Sequence, residues 1–428
     1  MFFLATAGLN AANFGFQVLV SRVLGPSTYS ALSALLALLV IAGVPLSALQ
    51  LSCAAAQARL DRPADAARVI QLVGLFSGFA ALLVLAAHKA VDGFLQITSV
   101  WPLVWLCGWL VLAALSAVPQ GLLIGQSRFT SLGLTALVGA GLGRLVVGGI
   151  AAGLHLGVSG GMASTAIAQG LMLVLLLMVV RVHRRQSRPR LQLSAADGAL
   201  STAALTGLAV FSAIDTVVAR HTLPAVESGY YAAAATGGRI ALFAPGAIAV
   251  LAFPRFVRSA ESATSGRREL FLSLSAVAGV GVAVVSTVVL IPDVIVRVLF
   301  GAAYLPAEHQ LAILAAAGGL LGCLTLATYY HLARGSAFAL AAWVGAAAVL
   351  GAVARTTLSG DQLAAFVLTV VALLTLTSVG WAFSSTAPPS ARRQRTTSRG
   401  GTATAAAAVL GGESGALVPP GLVGDDRP

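Results

Sequence analysis

The chain has 428 residues, of which 58% are hydrophobic and only 9% are charged, and its formal net charge is +12. A soluble domain of average composition is about a quarter charged, so this chain cannot cover a water-exposed surface of its own size and we expect it to lie in lipid. The positive charge does not indicate nucleic-acid binding, because that would need a basic face on a folded soluble domain.

Twelve apolar runs are each long enough to cross a membrane, since a spanning helix needs about 20 mostly apolar residues. Backbone groups in lipid must bond within the helix, and the short alternating segments typical of a membrane barrel are missing from the sequence. In chain order the runs cover residues 2–20, 30–57, 69–88, 97–120, 130–154, 159–180, 199–219, 229–252, 271–291, 311–330, 336–354 and 362–383. The sequence therefore predicts an all-α integral membrane protein with about twelve transmembrane helices.

Basic residues are concentrated in the loops on one side of these helices. If the N-terminus is cytoplasmic, the inner loops hold Arg59, Arg62, Arg68, Arg128, Arg181, Arg184, Arg185, Arg188, Arg190, Arg255, Arg258, Arg267, Arg268 and Arg334. The outer ends then hold only Arg22, Lys89, Arg220, Arg297 and Arg355. The positive-inside rule thus predicts a multi-pass protein of the cell (cytoplasmic) membrane with both termini in the cytoplasm.

The first helix carries a row of amide side chains. Asn10, Asn13 and Gln17 are three and four residues apart, so they share one face of the helix. They could line a cavity or bond a neighbouring helix, since polar side chains often join transmembrane helices. Arg22 follows at the outer end, where it could be an interface anchor or a cation at the cavity mouth. Arg144 lies well inside the fifth run, and a charge at that depth usually marks function.

A basic linker, RVHRRQSRPRLQLSAADG at 181–198, divides the chain into residues 1–180 and 199–383. Each part contains six predicted helices, so both enter the membrane in the same direction. We expect two parallel six-helix bundles around a central cavity, as in transporters built from parallel repeats. Residues 384–428 are rich in Ala, Gly, Ser, Thr and Pro, which predicts a disordered cytoplasmic tail.

One short junction occurs once in each half. QVLVSRVLGPSTY spans 17–29, and DTVVARHTLPAVESGYY spans 215–231. Three positions of the first copy lie 198 residues before their counterparts in the second, pairing Gln17 with Asp215, Arg22 with Arg220 and Pro26 with Pro224. We interpret the repeated stretch as the end of the first helix of each half, the outer loop and the start of the second helix.

Two charges lie inside predicted spans of the second half. Asp215 is the only acid so placed, and Arg239 lies near the middle of the eighth run. They could pair with each other across two helices, or Arg239 could bind substrate as a cavity cation. Arg220 stands at the outer mouth and has the same two interpretations as Arg22.

Three stretches carry a family resemblance. SRVLGPSTYSALSALLALLVIAGVP (21–45) resembles the start of the polysaccharide transporter branch of the multidrug/oligosaccharidyl-lipid/polysaccharide (MOP) flippase superfamily. IDTVVARHTLPAVESGYYAAAATGGRIALFAPGAIAVLAFPRF (214–256) resembles the matching junction of the second half, and IGQSRFTSLGL (124–134) is also similar. The resemblance covers roughly residues 1–383. Many members have fourteen spans, whereas twelve are predicted here, and the first helix begins at Phe2.

The resemblance implies a MATE-like fold and a flippase activity. The substrate would be a polyprenyl-diphosphate-linked oligosaccharide or polysaccharide precursor, moved to the outer leaflet by alternating access for cell-surface polysaccharide synthesis. A polysaccharide polymerase or glycosyltransferases are candidate partners, in addition to the lipid bilayer. Phosphate oxygens would need cations in the cavity, and the candidates are Arg239, Arg144, Arg22 and Arg220. Asp215, Asn10, Asn13 and Gln17 are the candidate polar or coupling residues of that cavity.

Two other functions fit the sequence less well. A polytopic polyprenyl-phosphate glycosyltransferase should show a carboxylate base or metal ligands in a sizeable loop, but the longest internal loop, 181–198, has no carboxylate pair. A cation-coupled exporter of small drugs on the same fold should have acids inside the first six spans, where we find none. The three cysteines and six histidines show no ligand spacing. We therefore predict a transporter without catalytic residues, metal or cofactor.

The predicted orientation can be tested with single cysteines in the linker and the tail. Cysteines placed at Ser187 and at Ser398 should resist an impermeant thiol reagent in intact cells and react after permeabilisation, because the arginine bias puts both segments in the cytoplasm. Labelling of either position in intact cells would overturn the orientation.

Overall fold

The computed structural model describes residues 2–57, 64–126, 128–182, 195–242, 248, 252, 256 and 263–384. Residues 183–194 of the linker and 385–428 of the tail lie outside this part of the chain, so the expectations for them stay predictions. The described helices are α1 (Phe2–Gln57), α2 (Ala64–Ala86), α3 (His88–Leu95), α4 (Trp101–Gly125), α5 (Phe129–Thr135), α6 (Gly143–Gly153), α7 (Gly157–Val182), α8 (Ala195–Thr222), α9 (Ala225–Gly238), α10 (Ala263–Leu290), α11 (Pro292–Leu299), α12 (Glu308–Ala333), α13 (Ala341–Val353) and α14 (Gly360–Ser384).

Nine helices among the described residues are long and apolar enough to cross a membrane, and Ala337–Val353 forms a shorter apolar helix. The longest of the nine, Leu4–Gln50, contains two predicted spans because α1 is broken in its middle. α9 covers the first part of the eighth predicted run, 229–252. Most of the second part of that run lies outside the described residues. Over its described residues, each predicted run thus coincides with a helix, and the all-α integral membrane fold is confirmed.

The break in α1 lies at the LGP sequence. Gly25 has φ 71° and ψ 169°, a conformation in which a glycine avoids the strain of a side chain, and Pro26 then starts the next helical limb with its fixed φ. The corresponding break between α8 and α9 has Pro224 immediately before α9, with φ −53° and ψ 146°. Both junctions lie at the same end of the molecule, which we call the junction end.

The two halves of the sequence contact each other at the junction end. α1 packs against α8 and α9, and its second limb contacts both helices through Ser30 and Tyr29. Gly229 in α9 lies so close to Pro26 that a Cβ would overlap the proline carbonyl. Fully buried Tyr29 makes edge-on contact with Tyr304, with ring centroids 6.1 Å apart. The predicted division into two bundles at 181–198 stays a prediction, but these contacts join residues from both sides of that linker.

Glycine also allows close contact within the second half. A Cβ at Gly238 would lie 2.6 Å from the Leu314 carbonyl oxygen, and Gly318 of α12 faces the Gly238 backbone in return. Small residues let transmembrane backbones approach each other in this way. The end of α9, which leads to Arg239, is therefore held directly against α12.

We predict that Gly238→Ala destabilises the protein by about 1–3 kcal/mol, because the added methyl group must displace backbone atoms of α12. Gly279→Ala is the matched control, since its Cβ meets nothing within 4 Å and alanine favours the helix. Cys53, Cys107 and Cys323 are free and buried, so a thiol-reactive dye reports thermal unfolding directly. Equal melting temperatures for the two variants would contradict the close packing.

Candidate functional site

A chain of hydrogen bonds crosses between the halves at the level of Tyr29. Thr236 of α9 donates from Oγ1 to Gln17 Oε1 over 3.2 Å. The Tyr29 hydroxyl lies 3.0 Å from the same Thr236 oxygen, and it must be the donor because the threonine proton is already used. Gln17, one of the predicted polar residues, therefore bonds a neighbouring helix of the other half.

Asp215 and Arg239 form an ion pair inside the membrane region. Arg239 Nη2 lies 3.3 Å from Asp215 Oδ1 and donates to Thr216 Oγ1 over 2.9 Å. Tyr231 donates its hydroxyl to Asp215 Oδ2 over 3.2 Å, so both carboxylate oxygens have partners. The predicted alternative of a pair across the seventh and eighth spans is the arrangement found.

The two partners of this pair differ in exposure. The Asp215 side chain is 9% exposed, whereas the Arg239 side chain is 28% exposed. The Arg239 bonds to Asp215 and Thr216 both come from Nη2. Pairing with Asp215 thus occupies one edge of the guanidinium, and the group keeps access to solvent or to a ligand.

Arg144 is placed differently. Its Nη1 donates to Asn13 Oδ1 over 3.3 Å, and the guanidinium carbon lies 4.2 Å from the centroid of the Phe16 ring. Its Nε is buried without a hydrogen-bond partner among the described residues, and no carboxylate of that part of the chain pairs with it. A cation that is partly removed from water and has no anion beside it is costly. Arg144 therefore has both the charge and the donor to bind an anionic ligand.

Local helix structure positions Arg144. Residues Ala136–Leu142 form a π-helical segment between α5 and α6, a feature often found at functional sites. Gly148, one turn beyond Arg144, packs so tightly on Phe16 that a Cβ would overlap the ring. The glycine thereby holds the aromatic ring of α1 beneath the guanidinium.

Arg144 bonds Asn13, and Thr236, three residues before Arg239, bonds Gln17 about one turn further along α1, which places the two cations around one interior region. The amide row of α1 borders this region, where Asn13 and Gln17 bond Arg144 and Thr236 respectively. Asn10 is half-buried on the same helix and has interactions of its own.

Arg22 and Arg220 lie apart from this region, at the junction end. Arg22 donates to the carbonyls of Leu299 and Val298. Arg220 donates to the carbonyls of Leu95 and Gln96 and to Ser30 Oγ. Their predicted part in substrate binding stays a prediction, although backbone carbonyls occupy their donors in this conformation.

Several members of the site had little signal in the sequence. In the sequence, Tyr29 is marked only by its place in the junction motif, and Thr236 lies in the run of small residues AAAATGG. Thr216 is adjacent to Asp215, but nothing in the sequence indicates that it faces Arg239. A threonine within an apolar span is only a weak signal of a polar contact between helices, because its hydroxyl can instead bond a carbonyl of its own helix.

Solved transporter structures share this architecture. An inward-facing multidrug resistance MATE family transporter of the MOP superfamily matches with a TM-score of 0.71 and 14% identity, over 91% of this chain and 95% of that chain. The lipid II flippase MurJ, in an inward closed conformation, matches with a TM-score of 0.68 and 14% identity, over 89% and 87%. The Vibrio cholerae MATE transporter VcmN matches at 0.59 and 16%, over 89% and 94%. The chain therefore has a MATE-like fold.

No protein-family model matches the chain, and no curated protein matches its sequence. At these levels of identity the structural matches establish the fold alone. Within that fold, the interior region contains two arginines. Arg239 pairs with the carboxylate of Asp215, whereas Arg144 has no carboxylate partner among the described residues.

We predict that the Asp215–Arg239 pair is coupled energetically. Asp215→Asn and Arg239→Gln should each lower stability by about 1–3 kcal/mol, since each leaves a desolvated group with a poorer partner. The double variant should lose clearly less than the sum, because no uncompensated charge remains. Thermal unfolding of the purified protein measures the cycle, and strictly additive losses would contradict the coupling.

Proposed function

We propose that this protein is a flippase that moves a lipid-linked oligosaccharide or polysaccharide precursor across the membrane by alternating access. The observation that carries the proposal is Arg144, a half-buried cation inside a span with a buried, unused Nε donor and no carboxylate partner among the described residues. A second, partly exposed cation, Arg239, lies three residues beyond Thr236, which bonds Gln17 of the same amide row of α1. The acyl chain of such a substrate can stay in lipid, whereas its phosphates need cations to leave water.

Arginine suits a diphosphate for a geometric reason. Its planar guanidinium can present two parallel N–H donors to phosphate oxygens, whereas lysine offers a point charge. The Nε of Arg144 has no acceptor among the described residues and can donate to a phosphate oxygen. Asn13 and the Phe16 ring fix the plane of the guanidinium. A negatively charged headgroup would replace the missing counter-ion and so be bound more tightly than a neutral or cationic molecule.

A cation-coupled drug exporter is the second candidate. The MATE transporters with this fold favour it, since one of them is named for multidrug resistance. Such an exporter would need an accessible acid to bind its coupling cation. The two oxygens of Asp215 are already occupied by Arg239, Thr216 and Tyr231, which supports the flippase instead. A membrane enzyme is a weaker candidate still, because Asp215, the carboxylate of the site among the described residues, is held by Arg239 and Tyr231.

The proposal can be tested with proteoliposomes that contain a fluorescent polyprenyl-diphosphate disaccharide. We expect Arg144→Gln and Arg239→Ala to reduce transfer between leaflets at least tenfold, with Arg144→Lys and Arg239→Lys retaining part of the activity. Arg297→Gln is the control, because it removes an exposed arginine that lies outside the interior region.

The same preparations decide between the two candidates. Efflux of a lipophilic cationic dye, driven by a proton or sodium gradient and lost in Asp215→Asn, would favour the exporter. Normal transfer of the diphosphate lipid by both Arg144→Gln and Arg239→Ala, at matched protein levels, would contradict the flippase site.

A further inference from the structure

The two arginines of the repeated junction bind the same structural feature in opposite halves of the chain. Arg22, in the first half, donates from Nε to the Leu299 carbonyl over 2.9 Å and from Nη2 to the Val298 carbonyl. These carbonyls lie at the C-terminal end of α11, an eight-residue helix of the second half. The guanidinium thus joins the end of the first transmembrane limb to the loop between the ninth and tenth predicted spans.

Arg220, in the second half, makes the matching contact in the first. It donates from Nε to the Leu95 carbonyl over 2.8 Å and from Nη2 to the Gln96 carbonyl over 2.7 Å. These carbonyls lie at the C-terminal end of α3, which is also eight residues long. In both copies the same two nitrogens therefore bind two successive carbonyls at the end of a short helix of the opposite half.

Arginine is well suited to this position. The last carbonyls of a helix have no intrahelical partner and carry partial negative charge, so a cation there is favourable. The planar fork of a guanidinium can bond two neighbouring oxygens at once, which a lysine ammonium does less well. The contact therefore stabilises the short helix and holds it against the opposite half.

The two contacts are unequal. Arg220 is only 5% exposed and also donates from Nη1 to Ser30 Oγ over 2.8 Å. Next to it, His221 stacks on Phe94 with ring centroids 4.1 Å apart, and Gln96 Nε2 donates to the His221 carbonyl over 3.2 Å. Arg22 is exposed, so water competes for its bonds. Arg220 should therefore contribute more than Arg22 to holding the two halves together.

Other contacts between the halves surround the two arginines. Tyr304 of the second half donates its hydroxyl to the Ser21 carbonyl over 2.8 Å, next to Arg22. Thr236 bonds Gln17 and Tyr29 deeper in the same interface. Separation of the halves at the junction end must break both arginine contacts as well as these bonds.

We propose that Arg22 and Arg220 are a pair of latches, built from the same repeated junction, that keep the junction end of the protein closed. The proposal goes beyond the flippase function and does not rest on it, because it concerns the conformation of the protein without substrate. It also assigns the repeated arginines to a gate and leaves substrate binding to Arg144 and Arg239.

Opening can be measured as the reaction rate of one buried cysteine. Thr236 is 2% exposed and contacts the opposite half, so Thr236→Cys should react faster with a soluble maleimide when the junction end opens. The three native cysteines are replaced by alanine, and the full-length protein is studied in lipid nanodiscs. Arg22→Gln, Arg220→Gln and the double variant are introduced into this background.

The matched control is Arg297→Gln. Arg297 is an exposed arginine of α11 itself, one residue before the latched Val298 carbonyl, so its substitution removes the same charge from the same end. A protein that keeps only the buried native Cys323 reports global unfolding of each variant, since this thiol lies within the second half.

We expect Arg220→Gln to raise the labelling rate of the Thr236→Cys protein at least about tenfold, since the change removes a charged donor to three acceptors. Arg22→Gln should raise it less and the double variant most, while Arg297→Gln and the Cys323 rate stay unchanged. Ser30→Ala, which keeps the Arg220 charge, should give a smaller rise.

The proposal is wrong if Arg22→Gln and Ser30→Ala label no faster than Arg297→Gln, even where Arg220→Gln fails to fold. It is also wrong if the faster labelling is matched by an equal rise at Cys323, because general loosening would then explain it. A failure here leaves the Arg144 and Arg239 transfer assay untouched, since that assay concerns other residues and measures substrate.

Discussion

Lipid offers no hydrogen-bond partners, so the polar groups of this chain must satisfy one another. Helices solve the problem for most of the backbone, but helix ends and intramembrane charges remain. Arg22 and Arg220 serve helix ends, where they bind the last carbonyls of α11 and α3. Asp215 and Arg239 satisfy each other. Arg22 and Arg220 also join the two halves, and such polar contacts matter in lipid because apolar side chains gain little from moving out of lipid into a protein interface.

Arg144 differs from these groups because its hydrogen bonding is incomplete among the described residues. Its amide partner is neutral, and its Nε has no acceptor among the described residues. The cost of such a cation is tolerable in a protein that binds an anion at that point during its working cycle. Arg239 is both paired and accessible, since one edge of its guanidinium contacts Asp215 while the side chain remains 28% exposed. The site is therefore asymmetric, with a neutralised cation on one side and an uncompensated cation on the other.

The fold alone does not decide between a lipid flippase and a drug exporter, because one architecture can host different functions. The distribution of charge within it is the useful guide. An acid whose oxygens are occupied and two cations facing one interior region favour an anionic substrate over a cationic one. The same reasoning separates the interior arginines from those at the junction end, whose donors are committed to backbone carbonyls.

Most of the helices follow from composition alone. Apolar runs of this length can form only helices in lipid, and LGP predicts a break because glycine permits the positive φ of residue 25 while Pro26 starts a helix. The repeat of Arg22 at Arg220 was likewise visible in the sequence, as was the depth of Arg144, Asp215 and Arg239.

Only the folded chain decided what those residues touch. The partners of Arg220 lie 124 to 190 residues away along the chain, and those of Arg22 lie 276 and 277 residues away. The sequence left open whether Asp215 and Arg239 pair, and it carried almost no signal for Thr236. Helix formation is local, so periodicity and length predict it. The choice of partner depends on how helices pack side by side, and in an apolar chain many packings share the same hydrophobic pattern.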